Sequence, residues 1–497
     1  MARKMPIFYS ALLLTGVNLL LRLVSTSFQV HISGRLGAEG VGLLQLVMSV
    51  GSLAMTAGMA GVRTATMYLT AEELGKRRPQ NVAWVLSGCF LYSLLCSGAV
   101  ASALYFAAPF LAENWVGNRN TLEAIRLFAV FLPLVCLSGC MTGYFTAANR
   151  IGTLAVVEIF EQLCYMAVTM TALQFWAHSD PGRACRSVVF GSGVSACFTL
   201  VCLVILRLRE KQETGPRIPV ASRLFHTAVP LALADDLKSG LSTAENLMVP
   251  KRLALYAGEL SPLATFGTVC GMVFPVLMFP AAILFALAEL LIPELARCSA
   301  AGSRLRIRYL AKRSLKLSML YGCLCAGIMH LTAVPLCQSL YSSPYAGKYL
   351  KLYSVMVPML YCDAIVDAMN KGLGQQKICV RFNILTAAMD LAFLYLLLPK
   401  YGMDGYLLSF FITHLINFLL SLGLLLKITK LRIPFYIPAL SCAAVLFSVL
   451  AASFLTSPLS QTAAFLALFG SLLILFRVVS MADFRWAKGL ILKNRGT

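Results

Sequence analysis

Four polar residues in the middle of the chain repeat at the spacing of one helix face. Separations of three, four and three positions relate Asp235, Lys238, Ser242 and Glu245. A helix therefore presents them along one side, whereas Asp236 points elsewhere. Asp235 and Lys238 can form an i,i+3 ion pair that neutralises both and stabilises packing. One pair leaves Ser242 and Glu245 unexplained, and we favour a polar stripe that lines a substrate-binding cavity.

A single arginine lies within the first apolar segment. Arg22 follows Asn18 by four positions, on the same helix face, and its own segment contains no acidic residue. Arg22 can pair across the bundle with Asp235 or Asp236, or it can bind an anionic ligand, because a planar guanidinium suits phosphate oxygens. We therefore treat Asn18 and Arg22 as candidate cavity residues.

Arg252 is a further cavity candidate at the end of the Asp235 segment. Together with Lys251 it can bind the same anionic ligand, or its long side chain can extend to the membrane interface while its stem stays in lipid. The sequence leaves both interpretations of Arg252 open.

Two acidic pairs also have helical spacing. Glu158 and Glu161 are three positions apart, and Asp363 and Asp367 are four apart. Such pairs hold a coupling cation or proton, or they cap cytoplasmic helix ends through water. The 5 histidines are scattered and the 16 cysteines contain no CxxC pair, so we expect no metal site and no cofactor. Coupling to Na+ or H+ is left open.

Charge is scarce in this chain. Apolar residues make up 59% of it and charged residues 13%, where soluble domains carry about 25% charged residues. This composition excludes a soluble enzyme, a disordered chain and a disulfide scaffold. It predicts an all-α polytopic membrane protein, because helices satisfy their backbone groups within each segment. A crossing needs about 20 residues, and we identify about fourteen transmembrane helices: 8–31, 40–60, 82–108, 122–146, 153–176, 186–207, 222–248, 262–293, 310–335, 350–370, 377–398, 403–427, 433–455 and 460–478.

The basic residues predict the topology. The net charge is +21, and 30 of the 42 Lys and Arg residues fall in alternate loops on the side of the N-terminus, against 9 on the other side and 3 within segments. The positive-inside rule then places both termini in the cytoplasm and the chain in the cell (cytoplasmic) membrane. The excess charge needs no nucleic-acid partner, because basic loops contact anionic lipids of the bilayer.

A weak internal repeat predicts two pseudo-symmetric six-helix lobes. Ser25-Thr26 recurs as Ser242-Thr243, 217 positions later, and Phe131–Leu134 resembles Met356–Met359 at an offset of 225. Six crossings per lobe give both lobes the same orientation, so their pseudo-two-fold axis lies along the membrane normal. The predicted domains are an N-terminal lobe at 1–210, a cytoplasmic linker at 211–221, a C-terminal lobe at 222–430, and two extra helices with a basic cytoplasmic tail at 431–497.

Several passages also carry a family resemblance. The passages are Arg22–Val24, Gly34–Gly42, Gly61–Ala65, Ala71–Glu73, Gly143–Ala147, Glu161-Gln162 and Val249–Leu253. With these passages the chain resembles, over nearly its whole length, the polysaccharide-export branch of the multidrug/oligosaccharidyl-lipid/polysaccharide (MOP) flippase superfamily. Within that branch it is most similar to the stage V sporulation protein B group, and more distantly to the lipid II flippases.

The resemblance implies a flippase that moves a lipid-linked oligosaccharide or a peptidoglycan precursor by alternating access. Two lobes would enclose a central V-shaped cavity. In the lipid II flippases, cavity arginines are thought to hold the substrate pyrophosphate, and Arg22 falls on one such position. Two other basic positions of that group are Phe28 and Tyr165 here, which leaves the identity of the glycan open.

Three function classes compete for this sequence. A flippase would use Arg22, with Lys238 and Arg252, to neutralise the diphosphate of a polyprenyl-diphosphate-linked glycan. A cation-coupled multidrug antiporter of the same superfamily would use the acidic residues and would usually have twelve spans. A membrane enzyme would need catalytic groups on a large outer loop, and catalytic spacing is missing. We predict a monomeric flippase that is not an enzyme.

Overall fold

The computed structural model describes residues 7–76, 78–176, 181–209, 220–259, 261–431 and 436–479. This part of the chain is helical and contains no β-strand. Short 3-10 segments lie at Pro79–Asn81 and Arg119–Thr121, and short π segments at Leu111–Val116 and Gly267–Val273. The α-helices are α1 (Ile7–Met59), α2 (Val62–Gly75), α3 (Val82–Phe110), α4 (Leu122–Ala147), α5 (Ile151–Trp176), α6 (Pro181–Leu208), α7 (Ala221–Leu253), α8 (Pro262–Phe266), α9 (Phe274–Met278), α10 (Ala281–Ala300), α11 (Arg304–Tyr341), α12 (Pro344–Ser354), α13 (Val357–Gly372), α14 (Gln376–Thr429), α15 (Tyr436–Ala452) and α16 (Pro458–Leu475).

Two very long helices each contain two of the predicted segments. α1 has 53 residues and α14 has 54. A glycine with positive φ interrupts each of them: Gly37 at φ 68° in α1 and Gly402 at φ 58° in α14. Glycine adopts this conformation without a Cβ penalty. Both glycines lie in gaps between predicted segments, so each helix consists of two membrane-length pieces.

Two other predicted segments are bent. The helices at Pro262–Met278 and Ala281–Ala300 meet at 62°, and those at Pro344–Ser354 and Val357–Gly372 meet at 59°. Pro280 and Pro358 stand where the second helix of each pair begins, a position that proline tolerates because its missing N–H has no helical acceptor there.

The described helices confirm an all-α polytopic membrane protein. By length and apolarity, eight of them suffice to cross a membrane, or ten when each bent pair is taken as one span. α7 falls outside that set because its apolar run carries the polar stripe, and α15 has only 17 residues. Counting the two pieces of α1 and α14 separately, every one of the fourteen predicted segments coincides with helix in the described part.

The chain groups into two compact units. Unit 1 comprises Met1–Met272 and Asn383–Phe410, and unit 2 comprises Val273–Phe382 and Phe411–Thr497. The lobes expected from the internal repeat, with their boundary near residue 221, stay a prediction. Most of the predicted linker, at 211–219, and the tail from 480 onwards lie outside the described residues.

Each unit has its own apolar core. In unit 1, one buried cluster joins α2, α3 and α7 through Val62, Val85 and Ala228, which fixes the first half of α7 against α2. In unit 2, the last two helices pack on α11 around Cys323 and Phe465. The cluster in unit 1 matters most for function, because it positions the polar stripe of α7.

Candidate functional site

A cavity of about 580 Å³ lies in unit 1 between the second piece of α1, the start of α2 and the middle of α7. Hydroxyl, amide and methionine side chains form most of its wall, and three charged side chains also line it. Its lining residues are Gln45, Met48, Ser49, Ser52, Met55, Thr56, Met59, Gly61, Arg63, Thr64, Asp235, Lys238, Ser239, Ser242, Thr243 and Asn246. We call it the first cavity.

Three of the four residues of the predicted stripe line the first cavity. Asp235, Lys238 and Ser242 are exposed and contribute to its wall. No ion pair joins Asp235 to Lys238 within the described residues, whose ion pairs lie elsewhere. Both charges therefore face the cavity instead of neutralising each other, as a polar stripe requires.

The fourth residue of the stripe, Glu245, lies outside the lining of the first cavity. Its carboxyl faces that of Asp390 on α14, a residue for which the sequence supported no functional interpretation. Asp390 is 5% exposed, and its Oδ1 accepts a hydrogen bond from Ser409 Oγ at 2.5 Å. Glu245 and Asp390 therefore form an acidic pair apart from the first cavity. Two facing carboxyls repel each other when both are ionised.

Hydrogen bonds from polar side chains join α1 to α7 along the cavity wall. Thr243 Oγ1 donates to the carbonyl oxygen of Ser49 at 3.1 Å, and Asn246 Nδ2 donates to Ser49 Oγ at 3.0 Å. Thr56 Oγ1 donates to Ser239 Oγ at 3.3 Å. These contacts satisfy polar groups that would be costly to leave unpaired, and they hold the two walls at a fixed separation.

Arg63 is a cavity residue that the sequence analysis did not select. It follows Gly61, whose φ is 71° and whose added Cβ would come within 2.4 Å of the carbonyl oxygen of Ala228. Only glycine allows this turn so close to α7, and the turn directs α2 so that Arg63 reaches the cavity. The predicted segments at 40–60 and 82–108 leave Arg63 in the loop between them, on the predicted cytoplasmic side. The useful signal is its place two positions after Gly61 in one of the resemblance passages.

An ion-pair cluster joins the start of α7 to the end of α2. Arg223 donates to Glu73 Oε1 and to Glu72 Oε2, each at 2.8 Å. Asn81 Nδ2 donates to the other oxygen of Glu73 at 2.9 Å, and Lys76 pairs with Glu72. Because Glu73 is buried and bonded on both oxygens, this cluster fixes the start of α7 relative to α2.

Arg22, the first arginine selected from the sequence, is exposed on α1 and does not line the first cavity. The side chain of Asn18 lies outside the described part. Phe28 and Tyr165, which replace basic residues of the lipid II flippases, pack edge to face with ring centroids 5.3 Å apart, in a buried cluster. The phosphate-binding role of Arg22 stays a prediction.

The predicted acidic pairs have different partners. Asp363 Oδ2 accepts a hydrogen bond from Asn417 Nδ2 at 3.1 Å, and Asp367 forms an ion pair with Lys371 at 2.5 Å, all within unit 2. The charge of Asp367 is thus compensated by Lys371, whereas Asp363 is bonded through Oδ2 only and its buried Oδ1 has no hydrogen-bond partner among the described residues.

Glu158 and Glu161 are partly buried on α5 in unit 1, where Arg63 is a neighbouring charge of Glu158. In the described part, no group of three or more His, Cys, Asp or Glu side chains is arranged to hold a metal ion.

Comparisons with known proteins match one family model and one curated protein to this chain. The family model MatE matches residues 14–171. Stage V sporulation protein B of Bacillus subtilis (strain 168) is 21% identical over 510 residues, which cover 97% of this chain and 98% of that protein. These matches confirm the resemblance to the MOP superfamily.

Two solved structures share the fold. Lipid II flippase MurJ in an inward closed conformation has a TM-score of 0.68 at 12% identity, over 94% of this chain and 99% of MurJ. A multidrug resistance MATE family transporter of the MOP superfamily, in an inward-facing conformation, has a TM-score of 0.65 at 12% identity, over 84% of this chain and 99% of that chain. At 12% identity these likenesses show the fold alone, which this chain shares with a lipid II flippase and with a MATE family transporter.

Proposed function

We propose that this chain is a flippase that moves a polyprenyl-diphosphate-linked oligosaccharide or peptidoglycan precursor across the cytoplasmic membrane by alternating access. The observation that carries the proposal is the charge of the first cavity, where Arg63 and Lys238 face a single carboxylate, Asp235. A cavity with excess positive charge attracts a diphosphate and repels a cationic drug.

The physical task of such a protein is to keep phosphates out of hydrocarbon. A charge at the bilayer centre costs at least about 2.5–3.5 kcal/mol on insertion scales, and a glycan adds many hydroxyls that would lose their hydrogen bonds. Serine, threonine and amide side chains in the first cavity can replace water around the sugars, while Arg63 and Lys238 bind the diphosphate. The polyprenyl tail, which is as apolar as lipid, stays in the bilayer.

A cation-coupled multidrug antiporter is the second candidate. Asp235 in the first cavity and the facing pair Glu245 and Asp390 supply the acidic groups that such an antiporter would need, and a MATE family transporter shares the fold. The excess of basic over acidic side chains in the first cavity favours the flippase.

The deciding experiment places the purified full chain in liposomes with a fluorescent polyprenyl-diphosphate oligosaccharide. We expect protein-dependent movement of the lipid, measured as the fraction protected from a membrane-impermeant quencher, and less movement at high salt because screening weakens charge attraction. A cysteine at Ser303 reports the orientation of the inserted protein, since the proposed topology places that loop in the cytoplasm. Transport of a cationic dye, with no movement of any diphosphate lipid, would establish the antiporter instead.

A further inference from the structure

One wall of the first cavity is a row of methionine side chains on α1. Met48, Met55 and Met59 line the cavity, and Ser52 lies between the first two on the same wall. Steps of four, three and four positions relate these residues, which is the spacing of one helix face. All three methionine side chains are half-buried, so part of each stays open to the cavity. We call these three residues the methionine wall.

Methionine differs from other apolar residues in its mobility. Its side chain is unbranched, has three rotatable bonds and carries a polarisable sulfur, so it adapts its shape to the group that it contacts. Methionine-rich surfaces occur in proteins that bind several different ligands, because the surface can repack around each of them. Rigid aromatic side chains hold a ligand in one pose, and the described lining of the first cavity contains none. The methionine wall therefore favours tolerance over discrimination.

The opposite wall, on α7, uses several of its hydrogen-bond donors within the protein. Thr243 Oγ1 and Asn246 Nδ2 both donate to Ser49, and Ser49 Oγ donates to the carbonyl oxygen of Gln45 at 2.8 Å. A site that is built to hydrogen-bond one hydroxyl rejects an analogue without it by about 10⁴–10⁵-fold. Because the donors named here are engaged, the wall instead presents oxygen lone pairs, which accept from sugar hydroxyls in many positions.

The charged groups of the first cavity are the ones that can discriminate. Arg63 and Lys238 are exposed in it and face one carboxylate, Asp235. Arg252, which the sequence groups with Lys238, lies outside this lining, with its guanidinium carbon 3.3 Å from the centroid of the Tyr395 ring. An anionic group that every substrate shares can therefore bind at Arg63 and Lys238, whatever sugar it carries.

We infer that the first cavity selects its substrate by the diphosphate and tolerates different glycans, with Met48, Met55 and Met59 as the residues that set this tolerance. The inference rests on the proposed flippase function and adds its substrate range, which is a class of polyprenyl-diphosphate lipids that share the anion and differ in the sugar. The diphosphate binds at the two basic side chains, and the methionine wall repacks around the sugar.

A panel of fluorescent lipids in liposomes tests the inference with the full chain. Three polyprenyl diphosphates carry glucose, N-acetylglucosamine or a disaccharide of the two, and a fourth lipid carries glucose on the uncharged polyprenyl alcohol. We expect the three diphosphates to gain protection from the quencher at rates within about fivefold of each other, a difference of about 1 kcal/mol. The uncharged lipid should move at least about tenfold more slowly, because it has no oxyanion for the basic side chains to bind.

The variant that combines Met48→Ile and Met55→Ile tests the methionine wall itself. Isoleucine keeps the wall apolar and of similar volume, but its branched Cβ restricts χ1 and removes the mobility. Met59 is left unchanged, because a Cβ added at Gly139 of α4 would lie 3.2 Å from its methyl group, so it already packs against that helix. We expect the spread of rates among the three diphosphates to widen to about tenfold or more, the discrimination that a shaped apolar pocket achieves between analogues.

Met67→Ile is the matched control, since Met67 is an exposed methionine of α2 that does not line the cavity. Its rates should equal those of the unchanged protein, and each single isoleucine variant replaces the double variant if that does not fold. A spread beyond fivefold in the unchanged protein, an unwidened spread in the folded isoleucine variants, or equal widening in Met67→Ile would overturn the inference.

Two further outcomes separate this inference from the function on which it rests. Movement of the uncharged lipid at the rate of the diphosphates, or movement of one diphosphate alone, would overturn the inference and leave a flippase. Absence of movement of every diphosphate lipid by the folded protein would refute the flippase function itself.

Discussion

The charged residues of α7 and those of α13 have similar helical spacing but different surroundings. On α7, Asp235 and Lys238 stand three positions apart and both face the first cavity. On α13, Asp367 and Lys371 stand four positions apart and pair with each other, while Asp363 is bonded to Asn417. Every charge in a membrane helix needs compensation. A charge that pairs with another side chain of the protein indicates a structural role. A charge that faces a cavity without such a partner indicates that a ligand binds there.

The helix that faces each set of charges makes the difference. α1 faces α7 with small hydroxyl side chains such as Ser49, Ser52 and Thr56, which leave space between the helices. α14 faces α13 with the amide of Asn417, which is long enough to reach Asp363 and fill the gap. Charged residues at helical spacing therefore line a cavity on α7 and form contacts within the protein on α13. The length of the side chains on the facing helix, which is distant along the chain, decides between the two.

Lys238→Gln on α7 is expected to have the largest effect, which is a loss of transport. Movement of the diphosphate lipid in liposomes should fall tenfold or more, because a hydrogen bond to a charged group contributes about 1.5–3 kcal/mol and about 1.4 kcal/mol corresponds to a factor of ten. The temperature of unfolding should not change, since no carboxylate in the described residues pairs with Lys238. The rate of quencher protection and a thermal unfolding curve measure the two quantities.

Lys371→Gln is the matched control on α13, because it removes the same charge from an ion pair rather than from the cavity. Lipid movement should stay within about twofold of the unchanged protein, a difference below about 0.5 kcal/mol. Equal losses of transport in both variants would show that α7 and α13 do not differ in the way that their surroundings indicate.

Much of the fold could be predicted from apolar segment length and glycine position. The gaps between the apolar segments contain Gly37 and Gly402, and periodicity alone places Asp235 and Lys238 on one helix face. These are local properties, since 20 apolar residues have few alternatives to a helix in lipid.

The neighbours of each side chain could not be predicted in the same way. Periodicity placed Glu245 with Ser242, yet Glu245 faces Asp390, a residue far along the chain that only packing brings near. The charge count placed Arg63 in a loop, because the turn at Gly61 that directs it into the first cavity depends on the backbone of α7. Arg22 was selected for its isolation in the sequence, which says nothing about which cavity its side chain reaches.

Asp363→Ala is expected to have an intermediate effect, which is a loss of stability. Removal of the carboxylate leaves the half-buried amide of Asn417 without its acceptor, and an unsatisfied group costs about 1–3 kcal/mol when it is buried. The midpoint of thermal unfolding in detergent should therefore fall. Asp235→Ala provides the contrast on α7 and should stay within about 0.5 kcal/mol of the unchanged protein, because exposed side chains contribute little. A larger loss of stability for Asp235→Ala than for Asp363→Ala would reverse the assignment of roles.

The smallest expected effect belongs to the ion pair between Asp367 and Lys371. Their side chains are 27% and 38% exposed, and partly exposed pairs typically contribute about 0–1 kcal/mol. A double-mutant cycle with Asp367→Asn and Lys371→Gln should give a coupling energy in that range when unfolding is followed in detergent. A coupling energy of several kcal/mol would mean that the pair lies in a far less polar environment than its exposure indicates. Loss of the pair would then destabilise the protein about as much as loss of the hydrogen bond between Asp363 and Asn417. α13 would have two strongly stabilising contacts instead of one.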